Sequence, residues 1–132
     1  MKVQDGWILL SCLLVIGLVS ACHSAAIVCQ EDKFAFTQEN ACMNDGSVEF
    51  CILKDDRDAL AQVLEIAPEA DCTLSSPGRA GCKENERLCL IPVGDYCSEK
   101  PNSYRIAAAG WDRLCRLSEL DFIQQIVATW YE

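Results

Sequence analysis

The sequence predicts a small, mainly helical (all-α) domain of about four to five short helices, closed by four disulfides. Three observations predict it. Eight cysteines follow an apolar leader, an even number in a short chain. Apolar residues recur at helical spacing in two stretches, Leu60 to Ala67 and Leu120 to Trp130. No Val/Ile/Thr-rich alternation of four to eight residues argues for strands.

The first segment reads as a targeting leader. Met1–Gly6 is short and polar, and Trp7–Val19 is almost wholly apolar. Small residues follow at Ser20, Ala21, Ser24, Ala25 and Ala26, the pattern of a secretory signal peptide. Thirteen residues at about 1.5 Å each fall short of a ~30 Å hydrocarbon core, so no transmembrane span is expected in the mature form. The expected organisation is a signal peptide over 1–25 and one domain over 26–132. Cleavage after Ala21 would leave Cys22 first in the mature chain; cleavage after Ser24, Ala25 or Ala26 removes it. An odd cysteine suggests a covalent dimer or a free thiol, so monomer and dimer both stay open.

Along the mature chain, Gln30 to Met43 reads as a weak helix with Phe34 as its core anchor. Asn44-Asp45-Gly46-Ser47 is a turn, because these residues tolerate left-handed backbone. Ser47 would then cap a helix carrying Val48, Cys51 and Ile52. Asp55 or Asp56 begins the next turn. Leu60, Val63, Leu64 and Ala67 share one helical face, which Pro68 closes. Asp71 to Cys82, rich in Ser, Pro and Gly, reads as an exposed loop whose ends are tied by its flanking cysteines. Lys83 to Leu90 is expected as a short helix stopped by Pro92. After Pro101-Asn102-Ser103, a helix places Tyr104, Ala107, Ala108, Trp111 and Cys115 on one face. Ser118-Glu119-Leu120-Asp121 resembles a capping box, opening a last helix through Leu120, Ile123, Ile126, Val127 and Trp130.

The expected disulfide formers are Cys29, Cys42, Cys51, Cys72, Cys82, Cys89, Cys97 and Cys115. No CxxC pair occurs, which argues against a zinc cage. Eight cysteines allow 105 pairings, so the connectivity is open.

The chemistry is mostly exclusion. A net charge of −9 without clustered Lys or Arg excludes a phosphate-tracking groove, and no nucleic-acid partner is expected. The single histidine, His23, lies in or beside the leader. Without it, Ser-His-Asp and Cys-His catalysis and His-ligated zinc are closed. Secreted phospholipase A2 chemistry is excluded with them. Asp55-Asp56-Arg57-Asp58 lacks the central Gly and distant Glu of a calcium loop and reads as a helix start. Arg113-Leu114-Cys115-Arg116 has R-x-x-R spacing and reads as surface charge. No catalytic residue, cofactor or metal is expected.

What remains is a secreted, extracellular binding protein. The leading form is a toxin-like or signalling ligand acting on an extracellular receptor or ion channel. A carrier of small apolar ligands, a matrix component and a protease inhibitor are the alternatives. The expected partner anchors are Trp111, Trp130 and Tyr131, since large aromatics dominate interface energies.

Overall fold

A computed structural model describes residues 25–43, 47–92, 96–97 and 103–129. It overturns the all-α expectation. Its described residues form two α-helices and a four-stranded antiparallel sheet, and the sheet is the centre. A single 3-10 turn, Glu31–Lys33, comes first. Then follow β1 (Val48–Leu53), α1 (Arg57–Ile66), β2 (Asp71–Leu74), β3 (Glu86–Ile91), α2 (Ala108–Ser118) and β4 (Val127–Ala128). The strand order is β2-β3-β1-β4.

Four expected helices are therefore strands or irregular chain: those over Gln30 to Met43, at Val48 to Ile52, over Lys83 to Leu90, which is β3 from Glu86 on, and from Leu120 on as far as it is described. Val48-Glu49-Phe50-Cys51-Ile52-Leu53 pairs with β3 along its whole length, Val48 opposite Ile91 and Leu53 opposite Glu86. Val48, Cys51 and Ile52 fit a helical spacing, but Val48, Phe50 and Ile52 also alternate. Alternation decides, because those three side chains fill the core at 0–2% exposure. β3 shows no alternation because it is a central strand, with Leu88 on one face and Cys89 and Ile91 on the other, all buried. Gln30 to Met43 is not a helix beyond the 3-10 turn. The chain from Glu119 to Ile126 is not one either. Its backbone closes i→i+3 turns, Leu120 N–H to Leu117 O and Ile123 N–H to Leu120 O, and then enters β4. Ser118 ends α2 instead of opening a helix, its hydroxyl donating to Cys115 O. The expected loop over 71–82 begins as β2 and becomes loop only after Leu74.

The α1 stripe is where it was expected. Asp56 is the N-cap, its carboxylate accepting the Ala59 N–H at 2.8 Å. Val63 and Ala67 are fully buried, Leu60 is half-buried, and Leu64 is left 37% exposed. One sheet face, with Val48, Phe50, Ile52, Cys89 and Ile91, packs with Val63 of α1 and with Leu114 and Leu117 of α2. Ile106, Ile123 and Ile126 complete that core.

The other face is covered by the loop after β2. Glu49, the second residue of β1, is 4% exposed. Its carboxylate accepts the backbone N–H groups of Arg79 and Ala80, the latter at 2.8 Å, and the Thr129 hydroxyl at 3.1 Å. The loop thus closes over the sheet with two of its donors on a buried acid. Gly78 makes the approach possible. It has φ +56°, and an added Cβ would stand 2.7 Å from both Glu49 Oε1 and Leu88 Cδ2.

Four disulfides pin these layers: Cys29–Cys115, Cys42–Cys97, Cys51–Cys82 and Cys72–Cys89. All eight expected cysteines are used. Cys72 and Cys82 tie the loop ends as expected, Cys72 to Cys89 of β3 and Cys82 to Cys51 of β1. In a small domain each bridge typically adds about 2–4 kcal/mol.

Arg113 does not sit as solvated surface charge. It lies within α2, as expected, but its side chain is 15% exposed. It forms a bidentate pair with Glu69, donates to Ile66 O at 3.0 Å and to the Tyr96 hydroxyl at 2.7 Å, and lies over the Tyr96 ring. It ties the end of α1 to α2.

Candidate binding groove

The segment from Lys33 to Met43 carries the site, and the fold holds it at several points. The Lys33 ammonium donates to Ser118 O at 2.8 Å and Leu120 O at 3.0 Å, capping the C-terminus of α2. A cation there satisfies orphan carbonyls and opposes the negative end of the helix dipole. Lys33 O accepts the Ile126 N–H, and Ile126 O accepts the Ala35 N–H, a short parallel bridge at the β4 end of the sheet. Farther on, the Ile106 N–H donates to Gln38 O, the Cys42 N–H donates to Tyr104 O, and Cys42 is bridged to Cys97. Asn40 shapes the bend, its side-chain oxygen accepting the Thr37 N–H at 2.7 Å.

Held in this way, Phe34 and Phe36 meet Trp111 of α2. Ring centroids are 5.0 Å apart for Phe34–Trp111, 5.4 Å for Phe34–Phe36 and 6.5 Å for Phe36–Trp111, all tilted or edge-on. Such pairs contribute about 0.5–1.5 kcal/mol beyond their buried area. All three rings are half-buried. Their outer sides line an open groove of about 560 Å³, with Glu31, Gln38 and Glu39 among its walls. Ala35, Phe36 and Asn40 also line a second cleft of about 290 Å³, which reaches Met43, Val127 and Arg79. Met43 is 51% exposed there.

Two glutamates stand at the larger groove. Glu31 and Glu39 line it, and Asp32 and Asp112, next to lining residues in the chain, are exposed. Glu39 pairs with Arg105 on the surface. The Lys33 ammonium is turned away onto the α2 carbonyls. The arrangement offers an aromatic floor under a negative rim.

Of the expected anchors, Trp111 lines the groove, while Trp130 and Tyr131 lie outside the described residues. So do residues 1–24 of the expected signal peptide, His23 among them, and residues 44–46 of the expected turn. Phe36 is a groove residue that spacing did not single out. The described residues contain one close set of potential metal donors, Cys51, Cys82 and Glu86. Its two sulfurs are joined in a disulfide, so they cannot act as thiolate ligands. Among the described residues, no helix is long and apolar enough to cross a membrane. No family model, curated protein or solved structure matches the chain.

Proposed function

We propose that this is a secreted binding protein that engages an extracellular protein through the Phe34–Phe36–Trp111 groove, without catalytic turnover, in the manner of a toxin-like or signalling ligand. The carrying observation is the half-exposed aromatic triad, set on a scaffold that four disulfides hold. Interface hot spots concentrate where a rigid aromatic meets a pocket that can be fully desolvated. The four bridges support an oxidising, extracellular setting, where such frameworks persist. Because the rim is acidic, the favoured partner presents an apolar side chain flanked by Lys or Arg. The rim charges would steer its approach, and the rings would hold it once seated.

The larger groove also has the size of a small-molecule site, which keeps an apolar carrier as a second reading. It is open to solvent on one side, whereas a carrier encloses most of its cargo.

Selection of peptides from a random displayed library on the disulfide-intact protein tests the proposal. The expected winners combine an aromatic or aliphatic residue with neighbouring Lys or Arg, and lose at least ~10-fold in affinity on Trp111→Ala. Winners of no charge preference that bind Trp111→Ala equally well would overturn it. Saturable uptake of a neutral apolar dye, with no peptide selected, would favour the carrier. Saturable turnover abolished by one Asp or Glu substitution would reject binding-only action.

A further inference from the structure

The strand order leaves two sheet edges, β2 and β4, and the chain treats them differently. An edge strand presents backbone N–H and C=O groups that a second chain can pair with, and charge on the edge discourages it. At β2 the Thr73 N–H donates to the Asp71 carboxylate at 2.9 Å, and Asp71 is exposed. β4, Val127–Ala128, carries no charge.

The register fixes which way the β4 backbone points. Val48 stands opposite Ala128 and Glu49 opposite Val127, and the Thr129 N–H donates to Ser47 O at 2.8 Å. Hydrogen-bonded and non-hydrogen-bonded pairs alternate along an antiparallel ladder. Val127 and Thr129 therefore turn their backbone groups to β1, while Ile126 and Ala128 turn theirs outward. Ile126 finds partners there: its N–H donates to Lys33 O at 2.8 Å, and its O accepts the Ala35 N–H at 3.0 Å. One step on, a continued parallel ladder would set Ala35 O against the Ala128 N–H, and the Thr37 N–H against Ala128 O. The chain bends away instead, and the Thr37 N–H donates to Asn40 Oδ1 at 2.7 Å. The outward N–H and C=O of Ala128 meet no partner among the described residues.

The bend opens the cleft of about 290 Å³. Ala35, Phe36, Ala41 and Met43 line one side of it, and Val127 and Ala128 the other. A donor and an acceptor from one residue, facing an apolar slot, match the N–H and C=O of one residue in an extended chain. A second copy of this domain does not fit. Its own β4 edge lies in the same slot, so two copies cannot bring those edges to the ~4.8 Å that pairing needs. A bare extended segment can enter.

We propose that the partner binds as an extended peptide strand, added to the β4 edge through the N–H and C=O of Ala128, with an apolar side chain in the cleft. This rests on the reading that the aromatic groove binds a protein, since cleft and groove share Ala35, Phe36 and Asn40. Main-chain bonds then supply affinity, and alternate side chains supply selectivity.

Peptides selected on the wild-type protein serve as probes. Each backbone N–H of the peptide is replaced in turn by an ester oxygen, which removes one donor and keeps every side chain. One position should cost about fivefold in affinity, the loss of a single hydrogen bond, with smaller effects elsewhere. In the isotope-labelled mature protein, the Ala128 amide proton should shift downfield on binding and exchange with solvent at least about tenfold more slowly. Ala128→Pro removes that donor at a position where an edge strand accepts proline, and should weaken binding by about as much as the ester. Peptides that need Trp111, yet show no ester-sensitive position and no change at the Ala128 amide, would overturn strand addition and leave the groove standing. Ester-sensitive peptides that protect Ala128 but bind Trp111→Ala as well as wild type would support strand addition and overturn the groove. Selection of no peptide would reject both.

Discussion

Glu49→Ala is the substitution that most sharply tests how the outer sheet face is built. Glu49 is 4% exposed and accepts three hydrogen bonds: Arg79 N–H, Ala80 N–H and the Thr129 hydroxyl. Hydrogen bonds to a charged group contribute about 1.5–3 kcal/mol each, and an orphaned buried donor costs about 1–3 kcal/mol. Arg79 is exposed and Ala80 half-buried, so water can reach part of what the truncation opens. The low end of those ranges therefore applies, and the summed loss is about 3 kcal/mol. At the ~4 °C per kcal/mol expected of a domain near 100 residues, melting with the disulfides intact should fall by about 12 °C. Glu49→Gln keeps the shape and one acceptor oxygen, so its loss should be about half as large. A local readout accompanies the global one. Trypsin cleaves after arginine, and the Arg79–Ala80 bond lies in a turn that Glu49 holds from beneath. Brief trypsin treatment should nick Glu49→Ala there well before wild type. The fragments would stay joined until reduction, because all four disulfides cross that bond. Wild-type melting together with wild-type resistance at Arg79 would refute the brace.

Three further outcomes are expected. Gly110→Ala sets helix propensity against space: alanine gains about 1 kcal/mol in a helix interior, but its Cβ would stand 2.5 Å from Tyr96 Cβ, and overpacking costs about 1–3 kcal/mol. Net destabilisation is expected in chemical unfolding, and a stabilised variant would contradict the packing of Tyr96 on α2. The Asp71 carboxyl is held below its ordinary pKa of 3.8, first by the Thr73 hydroxyl and then by the Thr73 N–H. Its contribution is thus complete above that value and is lost as pH falls below it. Asp71→Asn should slightly flatten the decline in melting temperature on the acid side, and an unchanged profile would remove this contribution. Peptide mapping without reduction should return Cys29–Cys115, Cys42–Cys97, Cys51–Cys82 and Cys72–Cys89; any other pairing would contradict the sheet register.

The helix at 57–66 was legible because its signals agree: an Asp cap, a four-residue apolar stripe and a closing proline. β1 was not. In Val48-Glu49-Phe50-Cys51-Ile52-Leu53 the outward positions hold a buried acid, a disulfide cysteine and a leucine, so no polar face marks the period. The signal was Glu49 itself, a lone charge within an apolar run. The stretch from Leu120 to Val127 does carry helical spacing. Yet its buried residues are set by long-range contacts, with Ile126 bonded to Lys33 and Ala35 across more than ninety residues. Spacing cannot show such contacts. The cysteines were legible as a set, but their pairing depends on the register of strands that were not foreseen. Trp111 stood out as an aromatic on an apolar stripe. The groove did not, because Phe34 and Phe36 reach it from a segment more than seventy residues earlier.

The most direct test of binding through the aromatic groove is the association and dissociation kinetics of a selected basic peptide with Glu31→Lys/Asp112→Lys. Both side chains are exposed, so melting should stay near that of wild type. Rim charges act mainly on encounter. Association should be roughly three- to tenfold slower at low salt, with a weaker salt dependence and an almost unchanged dissociation rate. Trp111→Ala should do the reverse, leaving association nearly intact and speeding dissociation. Association as fast as wild type, with the same salt dependence in the charge-reversed protein, would contradict it.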